Sequence, residues 1–343
     1  MKKIRVLAML ILIAVGINGI PESSLAVSQN SYGKNAANVW NWGGYYSKGC
    51  YTGGNTFYYN IYNKLYKMNL KTGKKQLVYT YKDAFSINSI QYYKKRLYIV
   101  IDKYMGTGGS YPYITRLNEN GTGMKMLDVG DSVTIEGGKI YYIKQTELDD
   151  FETFDPVGVY SMKPDGSSKK CLIKNDIVTD VVCDGKVITY RDLYGTFRTN
   201  LKGKNKKQIG TVEQNVVGIY KNVFYYLENA GEQGDNLFQK NLTTNKVTKL
   251  ESNVDSSLAK LDSLTGKLYF GKFVSSGVKD TIYQRDLKTG TKKVVLSMKN
   301  IYSISLFGNY ITYAQGQSDY NTISRIMKFS TKKKIRMGKY FVS

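Results

Sequence analysis

Hydrophobic and polar residues alternate along this chain in short segments, and one order of segments recurs seven times. Each copy has a turn residue, a tyrosine-rich segment, an irregular loop, a second alternating segment and a turn containing lysine or glycine. Residues 54–73 and 266–290 are the clearest copies. Because a strand places alternate residues on opposite faces, this period indicates β-strands throughout and no helix.

The repeat is followed most easily in the second alternating segment of each copy. Its first inward position is aromatic in six of the seven copies, at Tyr66, Tyr113, Tyr160, Phe197, Phe238 and Tyr283, with Arg325 in the last. The third inward position recurs every 37 to 47 residues, at Leu70, Leu117, Pro164, Leu201, Leu242, Leu287 and Phe329. A four-stranded propeller blade takes about 40–45 residues. The sequence therefore predicts an all-β, seven-bladed β-propeller of four-stranded antiparallel blades.

The strands of a blade can be placed in the same way. Inner strands are predicted at 87–91 and 303–307, and outer strands at 75–79 and 292–296. The first blade is predicted to open near Trp42 with an inner strand at 43–47, and the last to close with an outer strand at 334–337. The propeller would then be a single domain covering residues 40–343. Two modes of ring closure remain open, side-chain packing and an exchanged strand.

Several strand motifs resemble a known bacterial family. They are the segments 57–59, 140–142 and 224–226, followed by 65–70 and 159–166. The chain resembles the propeller family called domain of unknown function 5050, itself similar to TolB-like propellers and to the Tyr-Trp-Thr-Asp propellers of low-density-lipoprotein receptors. The resemblance covers roughly residues 42–337. It implies the fold and no established activity, and the receptor-type Trp and Asp are missing from these strands.

The N-terminal residues have the layout of an export signal. Lys2, Lys3 and Arg5 precede an apolar run over residues 6–17, and small residues lead to Ala26. This pattern predicts a secretory signal peptide over residues 1–26, followed by a flexible lead-in over 27–39. The alternative is an uncleaved membrane anchor, for which the run is shorter than the ~18–20 residues of a spanning helix. We expect a secreted or cell-envelope-associated monomer without a transmembrane segment after cleavage.

Histidine is absent from the chain. This excludes Ser-His-Asp hydrolysis, Cys-His catalysis and histidine-ligated metal centres. The three cysteines, Cys50, Cys171 and Cys183, are expected to be unpaired small hydrophobes, with a Cys171–Cys183 bridge as the alternative. We therefore expect no cofactor and no metal.

Acidic and aromatic residues occur together in the loops that join second to third strands. The candidate ligand-binding residues there are Tyr104, Tyr111, Asp149, Asp150, Glu152, Asp155, Tyr194, Asp319 and Tyr320. Paired carboxylates can hydrolyse glycosides, so one alternative is a carboxylate-dependent glycan-active hydrolase that uses the loop 147–155. The same loop could hold calcium, although it lacks the spacing of an EF-hand loop. The simplest interpretation is a solvated acidic loop without catalysis.

The net charge is +23, and lysines concentrate in the turns between third and fourth strands. These turns are predicted to form a basic rim of Lys74, Lys75, Lys169, Lys170, Lys206, Lys207, Lys292, Lys293, Lys333 and Lys334, with Glu119 and Asp165 as the carboxylates among them. Such a balance favours polyanions, although it also serves solubility. Outside the cell the partner would be an anionic wall polymer or polysaccharide, or a secreted or surface protein, rather than nucleic acid. The sequence therefore predicts a non-catalytic binding module that engages such a ligand through loops on one face.

Overall fold

A computed structural model describes residues 49–104, 110–147, 154–183, 187–263, 265–274, 278–318 and 321–341. Every regular element among these residues is a β-strand. The described ranges therefore contain no helix long and apolar enough to cross a membrane. The predicted signal peptide, the lead-in and the predicted first strand at 43–47 lie outside them.

The 26 strands form five antiparallel sheets in chain order. The first sheet contains β1 (Gly49–Tyr51), β2 (Thr56–Ile61), β3 (Lys64–Asn69) and β4 (Lys75–Thr80). The second contains β5 (Ala84–Tyr93), β6 (Arg96–Tyr104), β7 (Ser110–Asn118), β8 (Lys125–Glu136), β9 (Lys139–Glu147), β10 (Phe154–Met162) and β11 (Lys170–Lys174). The third contains β12 (Val178–Cys183), β13 (Val187–Asp192), β14 (Gly195–Asn200) and β15 (Lys207–Gly210).

The remaining two sheets continue the same meander. The fourth contains β16 (Asn215–Tyr220), β17 (Val223–Asn229), β18 (Asp235–Asn241), β19 (Val247–Asp262), β20 (Lys267–Lys272), β21 (Lys279–Asp286) and β22 (Lys292–Lys299). The fifth contains β23 (Ile301–Phe307), β24 (Tyr310–Ser318), β25 (Asn321–Lys328) and β26 (Lys334–Phe341). All predicted outer strands, and the predicted inner strands at 87–91 and 303–307, fall within these elements. β2 pairs with β1 on one side and with β3 on the other, and the predicted inner strand at 43–47 lies outside the described residues.

The sheets hold four, seven, four, seven and four strands, so the predicted seven separate blades are not seen as seven separate sheets. One long strand joins two repeats in each seven-stranded sheet. The first part of β8, through Val129, pairs with β7, and its second part, from Gly130, pairs with β9. Likewise β19 pairs with β18 up to Val254 and with β20 from Val254 onwards. The outer strand of one repeat thus runs directly into the inner strand of the next.

Aromatic pairs across neighbouring strands explain the tyrosine-rich pattern. In five repeats the second and third strands place two rings opposite each other, with centroids 5.4 to 6.1 Å apart: Tyr59–Tyr66, Tyr142–Tyr160, Tyr190–Phe197, Tyr226–Phe238 and Phe270–Tyr283. Each pair is directly opposed in the strand register. Such pairs contribute about 0.5–1.5 kcal/mol each beyond their burial.

The second repeat departs from the predicted register. Its turn hydrogen bond, from Asn118 N to Thr122 O, corresponds to that from Asn69 N to Lys74 O in the first repeat. The aromatic position therefore falls on Thr115, two residues after the predicted Tyr113. Thr115 is buried, and its hydroxyl lies 3.1 Å from the hydroxyl of Tyr81, which comes from the connection between β4 and β5. Tyr81 thus supplies the ring from outside the strand, which a comparison of strand positions does not reveal.

Turn glycines hold successive repeats together. Gly121, Gly166 and Gly203 each end a short turn with positive φ, and each lies against the outer strand of the preceding repeat. A Cβ on Gly203 would lie 2.0 Å from the Leu172 carbonyl oxygen, and one on Gly121 would lie 2.2 Å from that of Val78. These positions need glycine for conformation and for space.

The last repeat packs against the first, which closes the chain on itself. Phe57 meets Phe307 edge-on with centroids 5.0 Å apart, and Tyr51 meets Tyr310 at 5.3 Å. The Tyr59 hydroxyl donates to the Met337 carbonyl at 3.3 Å. Because β1 belongs to the first sheet and β26 to the last, closure in the described ranges uses side-chain packing and no exchanged strand.

The cysteines do not pair. Cys50 and Cys183 are buried, Cys171 is exposed, and all three are free thiols. The expectation of unpaired cysteines is confirmed, and the alternative Cys171–Cys183 bridge is wrong.

Two turn glycines provide a matched test of packing between repeats. Gly203 and Gly290 have φ of +74° and +76°, but a Cβ on Gly290 would meet no atom within 4 Å. Gly290→Ala should cost about 1 kcal/mol, the left-handed backbone penalty alone. Gly203→Ala should cost about 1–3 kcal/mol more, because the methyl group meets a carbonyl of the neighbouring repeat. Urea unfolding of both variants measures the difference, and equal losses would contradict this packing.

Candidate functional site

The antiparallel meander gives the molecule two distinct faces. We call the loop face the side that carries the second-to-third strand connections and the links between repeats, such as 62–63, 175–177, 193–194 and 211–214. We call the turn face the opposite side, which carries the third-to-fourth strand turns such as 70–74 and 201–206. Because successive strands run in opposite directions, these two classes of connection emerge at opposite ends of every sheet.

All ten lysines of the predicted basic rim are exposed and lie on the turn face. They occupy the turns before β4, β11, β15, β22 and β26 or the first residues of those strands. The carboxylates in these turns are Glu119, Asp165 and also Asp286, which accepts from the backbone N–H groups of Lys288 and Thr289. Lysines far outnumber carboxylates there, so the turn face is strongly basic.

Half of these lysines are used to join repeats. In each pair one side chain reaches the neighbouring repeat: Lys75 donates to the Met337 carbonyl at 3.0 Å, Lys207 to that of Leu242 at 3.2 Å, and Lys333 to that of Lys71 at 3.1 Å, while Lys169 pairs with Asp128 at 3.1 Å and Lys292 with Glu251 at 3.0 Å. Adjacent residues of a strand point to opposite sides, so one lysine of each pair points towards the neighbouring repeat and the other does not. We call the five lysines that reach a neighbouring repeat the interface cations.

The other members of the pairs have different surroundings. The Lys206 ammonium lies 4.0 Å from the centre of the Phe197 ring. Within the described ranges no side-chain bond or ring contact involves the remaining four, Lys74, Lys170, Lys293 and Lys334, and all four are exposed. They are the rim lysines best placed to meet a ligand.

Two of the interface cations, Lys169 and Lys292, pair with carboxylates whose side chains are largely buried, Asp128 and Glu251. Burial alone would raise the pKa of Asp128, but hydrogen bonds from Tyr142, Lys144 and Lys169 outweigh it and hold the pKa below its usual range. Glu251 behaves in the same way, since Lys272 and Lys292 overcome its burial and lower its pKa. Both carboxylates therefore stay ionised, and their lysines stabilise the structure rather than a ligand complex.

Of the predicted ligand-binding residues, three have described side chains, and these three differ in exposure. Tyr194 is 72% exposed in the turn between β13 and β14, and Asp155 is exposed on β10. Tyr111, in contrast, is only 4% exposed, and it lies within β7 where the pairing with β6 continues to Ser110 opposite Tyr104. It cannot offer that ring to a ligand as predicted. Asp149, Asp150, Glu152, Asp319, Tyr320 and the side chain of Tyr104 lie outside the described residues.

A titratable group on the inner strands was missed by the sequence argument. Asp180 lies on β12, largely buried, near Asp131 of β8 and Arg191 of β13. Burial, followed by repulsion from Asp131, raises the pKa of Asp180 to about 7, against the opposing effect of Arg191. The signal in the sequence was a single Asp inside the apolar run 178–183, which inner-strand burial makes costly.

The described residues contain no group of three or more cysteine or carboxylate side chains that could hold a metal ion. The calcium alternative for the loop 147–155 concerns residues of which most lie outside the described ranges.

Comparison with solved structures shows a propeller-like fold. A structure from a study of two prolyl endopeptidases matches 94% of this chain and 55% of its own, with 11% identity and a TM-score of 0.60. A puromycin-hydrolysing peptidase of Mycobacterium tuberculosis matches 88% of this chain and 54% of its own, with 9% identity and a TM-score of 0.63. The similarity involves the propeller domains of these peptidases and no catalytic domain. At such identities it shows the fold alone.

The chain spans about half the length of the solved peptidases that it matches. TolB of Acinetobacter baumannii also matches, with 13% identity over 84% of this chain and 77% of its own, and with a lower TM-score of 0.46. No protein-family model and no curated protein match the sequence. The resemblance to domain of unknown function 5050 thus has no support from a family model, whereas the propeller likeness does have structural support.

The raised pKa of Asp180 predicts a pH-dependent stability. Below about pH 4 the carboxyl is protonated in both states, so its ionisation costs nothing. As the pH rises towards 7, the unfolded chain ionises while the folded chain keeps its proton, and stability falls by up to ~1.4 kcal/mol per pH unit. The difference in unfolding free energy between Asp180→Asn and the parent protein should therefore grow in favour of the variant between pH 5 and 7 and stay constant above pH 7. Urea unfolding across this range measures it, and a constant difference would contradict the assignment.

Proposed function

We propose that this chain is a non-catalytic binding module, built as a seven-bladed propeller, that attaches to anionic polymers through its turn face. The five sheets support seven blades because β8 and β19 each serve as the outer strand of one repeat and the inner strand of the next. Dividing both strands at these points leaves seven four-stranded repeats in a closed order. This division supports the proposed count of seven blades.

The concentration of exposed lysines on the turn face carries the proposal. Interface contacts use five of the ten rim lysines, yet Lys74, Lys170, Lys293 and Lys334 keep their ammonium groups in solvent. They come from four different repeats, so they surround the ring rather than forming one local cluster. A ligand with repeating negative charge can meet several of them at once, and multivalent contact raises affinity beyond that of any single pair.

The setting of the protein supports a particular class of polyanion. The signal-like pattern of residues 1–26 favours export, where anionic wall polymers and acidic polysaccharides are available and nucleic acid is not the usual partner. We therefore assign the module to the cell envelope or its surroundings, with such a polymer as the ligand of the turn face.

A catalytic role receives no support from a described residue. The alternative hydrolase would use the loop 147–155, of which Asp155 is the one carboxylate with a described side chain. The solved peptidases share only their propeller part with this chain. We therefore propose binding without turnover.

Removal of the four solvent-directed lysines tests the function. The variant Lys74→Ala, Lys170→Ala, Lys293→Ala, Lys334→Ala should bind alginate or polyphosphate about 15-fold more weakly at ~0.15 M salt, if each exposed charge contributes about 0.4 kcal/mol. Binding by the parent protein should nearly vanish at about 1 M salt, where the Debye length is ~3 Å. Isothermal titration and sedimentation with the polymer measure both effects.

A matched control removes the same charge from the loop face. Lys82, Lys174, Lys279 and Lys299 are exposed and lie near the ends of strands on that face. Their fourfold alanine variant should bind the polymer as the parent does, and neutral dextran should not bind any of the proteins. If both variants lose affinity equally, net charge rather than the turn face is responsible and the proposal fails.

A further inference from the structure

Within the described ranges, exposed aromatic side chains lie only on the loop face. Five aromatic residues in the described ranges are more than a third exposed, and every one of them lies in a loop-face connection or beside one: Tyr62, Phe85, Tyr194, Phe273 and Tyr302. Phe85 is 63% exposed and Tyr194 72%. The exposed apolar residues elsewhere, such as Leu77 and Val294 on outer strands, are aliphatic. In a chain whose tyrosines otherwise fill the core, this segregation marks a docking surface.

The aromatic residues come from five different repeats, and three aliphatic ones accompany them. Leu193 adjoins Tyr194, Val278 follows Phe273 across the same connection, and Val212 lies in the link between β15 and β16. Aromatic side chains of this kind are the usual anchors of protein interfaces, because they bury a large area at low conformational cost.

Carboxylates accompany the exposed rings and are oriented by neutral donors. Beside Phe85, Ser86 and Asn88 donate to the Asp102 carboxylate at 2.9 and 2.7 Å. At Tyr194 the carboxylate is buried: Asp192 is 3% exposed and accepts from Tyr194 N at 2.8 Å and from the Asn175 amide at 3.0 Å, so it positions the turn that presents the ring.

Beside Tyr302, the neutral donor is the N–H of Ile301, which donates to the Asp280 carboxylate at 2.7 Å. Neutral donors fix the position of a carboxylate without cancelling its charge, unlike the lysines around Asp128 and Glu251.

Near Phe273 two carboxylates lie close enough to repel each other. Asp235 begins β18 directly after Gly234, which lies against the Phe273 side chain, and Asp255 on β19 adds to the effect of burial in raising the pKa of Asp235. A bound cation would relieve this repulsion, whereas a neutral ligand would not.

We propose that the loop face docks a cationic polypeptide segment, whose apolar side chains pack on the exposed rings and whose Lys and Arg side chains pair with the neighbouring carboxylates. The high net positive charge of the protein does not prevent this. A six-residue strand spans about 20 Å, and the Debye length is only ~8 Å at physiological salt. The basic turn face is therefore screened from a ligand on the loop face.

The test uses a display library of random 12-residue peptides. Peptides are first selected for binding to the full protein. Those that also bind the variant Tyr194→Ser, Phe273→Ser are then discarded, which removes acidic peptides held by the unchanged turn face. Those that remain should carry net positive charge and at least one large apolar residue. Their affinity, measured by fluorescence anisotropy, should fall at least tenfold for that variant.

Two further variants make the result specific. Leu77→Ser with Val294→Ser removes similar exposed apolar surface from outer strands and should leave affinity unchanged. Asp102→Asn with Asp280→Asn should weaken binding severalfold and reduce its salt dependence. The proposal is overturned if the remaining peptides are neutral or acidic, if no peptide depends on Tyr194 and Phe273, or if these rings instead retain a neutral polysaccharide. Loss of polymer binding by the turn-face variant has no bearing on this outcome.

Discussion

Packing between repeats is the constraint on which the rest of this structure depends. A four-stranded repeat cannot bury both of its faces alone, so each relies on its neighbours. The contacts are of two kinds: aromatic and aliphatic side chains between the sheets, and turn residues that lie on the outer strand of the preceding repeat. The contact of Lys333 with Lys71 follows the same pattern as that of Lys207 with Leu242, so the junction between chain ends is built like the internal ones.

This constraint also determines which charges are available for function. Alternation along the outer strands sends one lysine of a pair into a repeat interface and its neighbour elsewhere, so the basic character of the turn face follows from the same geometry that joins the ring. The connections on the loop face vary more in length than the turns of the turn face. Exposed rings and uncancelled carboxylates collect there. Two surfaces of different chemistry thus arise from one repeated unit.

Strand positions and the propeller-like fold were predictable because each strand repeats a period of two. Three features were not, because they depend on distant residues. In the second repeat the aromatic ring comes from Tyr81, in a connecting segment, and not from the third strand. The strands β8 and β19 run unbroken between repeats where seven separate sheets were predicted. The division of the rim lysines could not be foreseen, since their partners Asp128, Glu251 and Met337 are distant in sequence. On the loop face, Tyr194 was found and Tyr111 is buried, whereas Phe85, Phe273 and Tyr302 were overlooked because exposure is decided by loop geometry.

Lysine footprinting tests the division of the two faces most directly. The protein would be acetylated briefly with and without bound polyphosphate, and the modification of each lysine measured by mass spectrometry. The account predicts that the polymer protects Lys74, Lys170, Lys293 and Lys334, while Lys82, Lys174, Lys279 and Lys299 react at unchanged rates. Equal protection of both sets, or protection confined to the loop-face set, would contradict it.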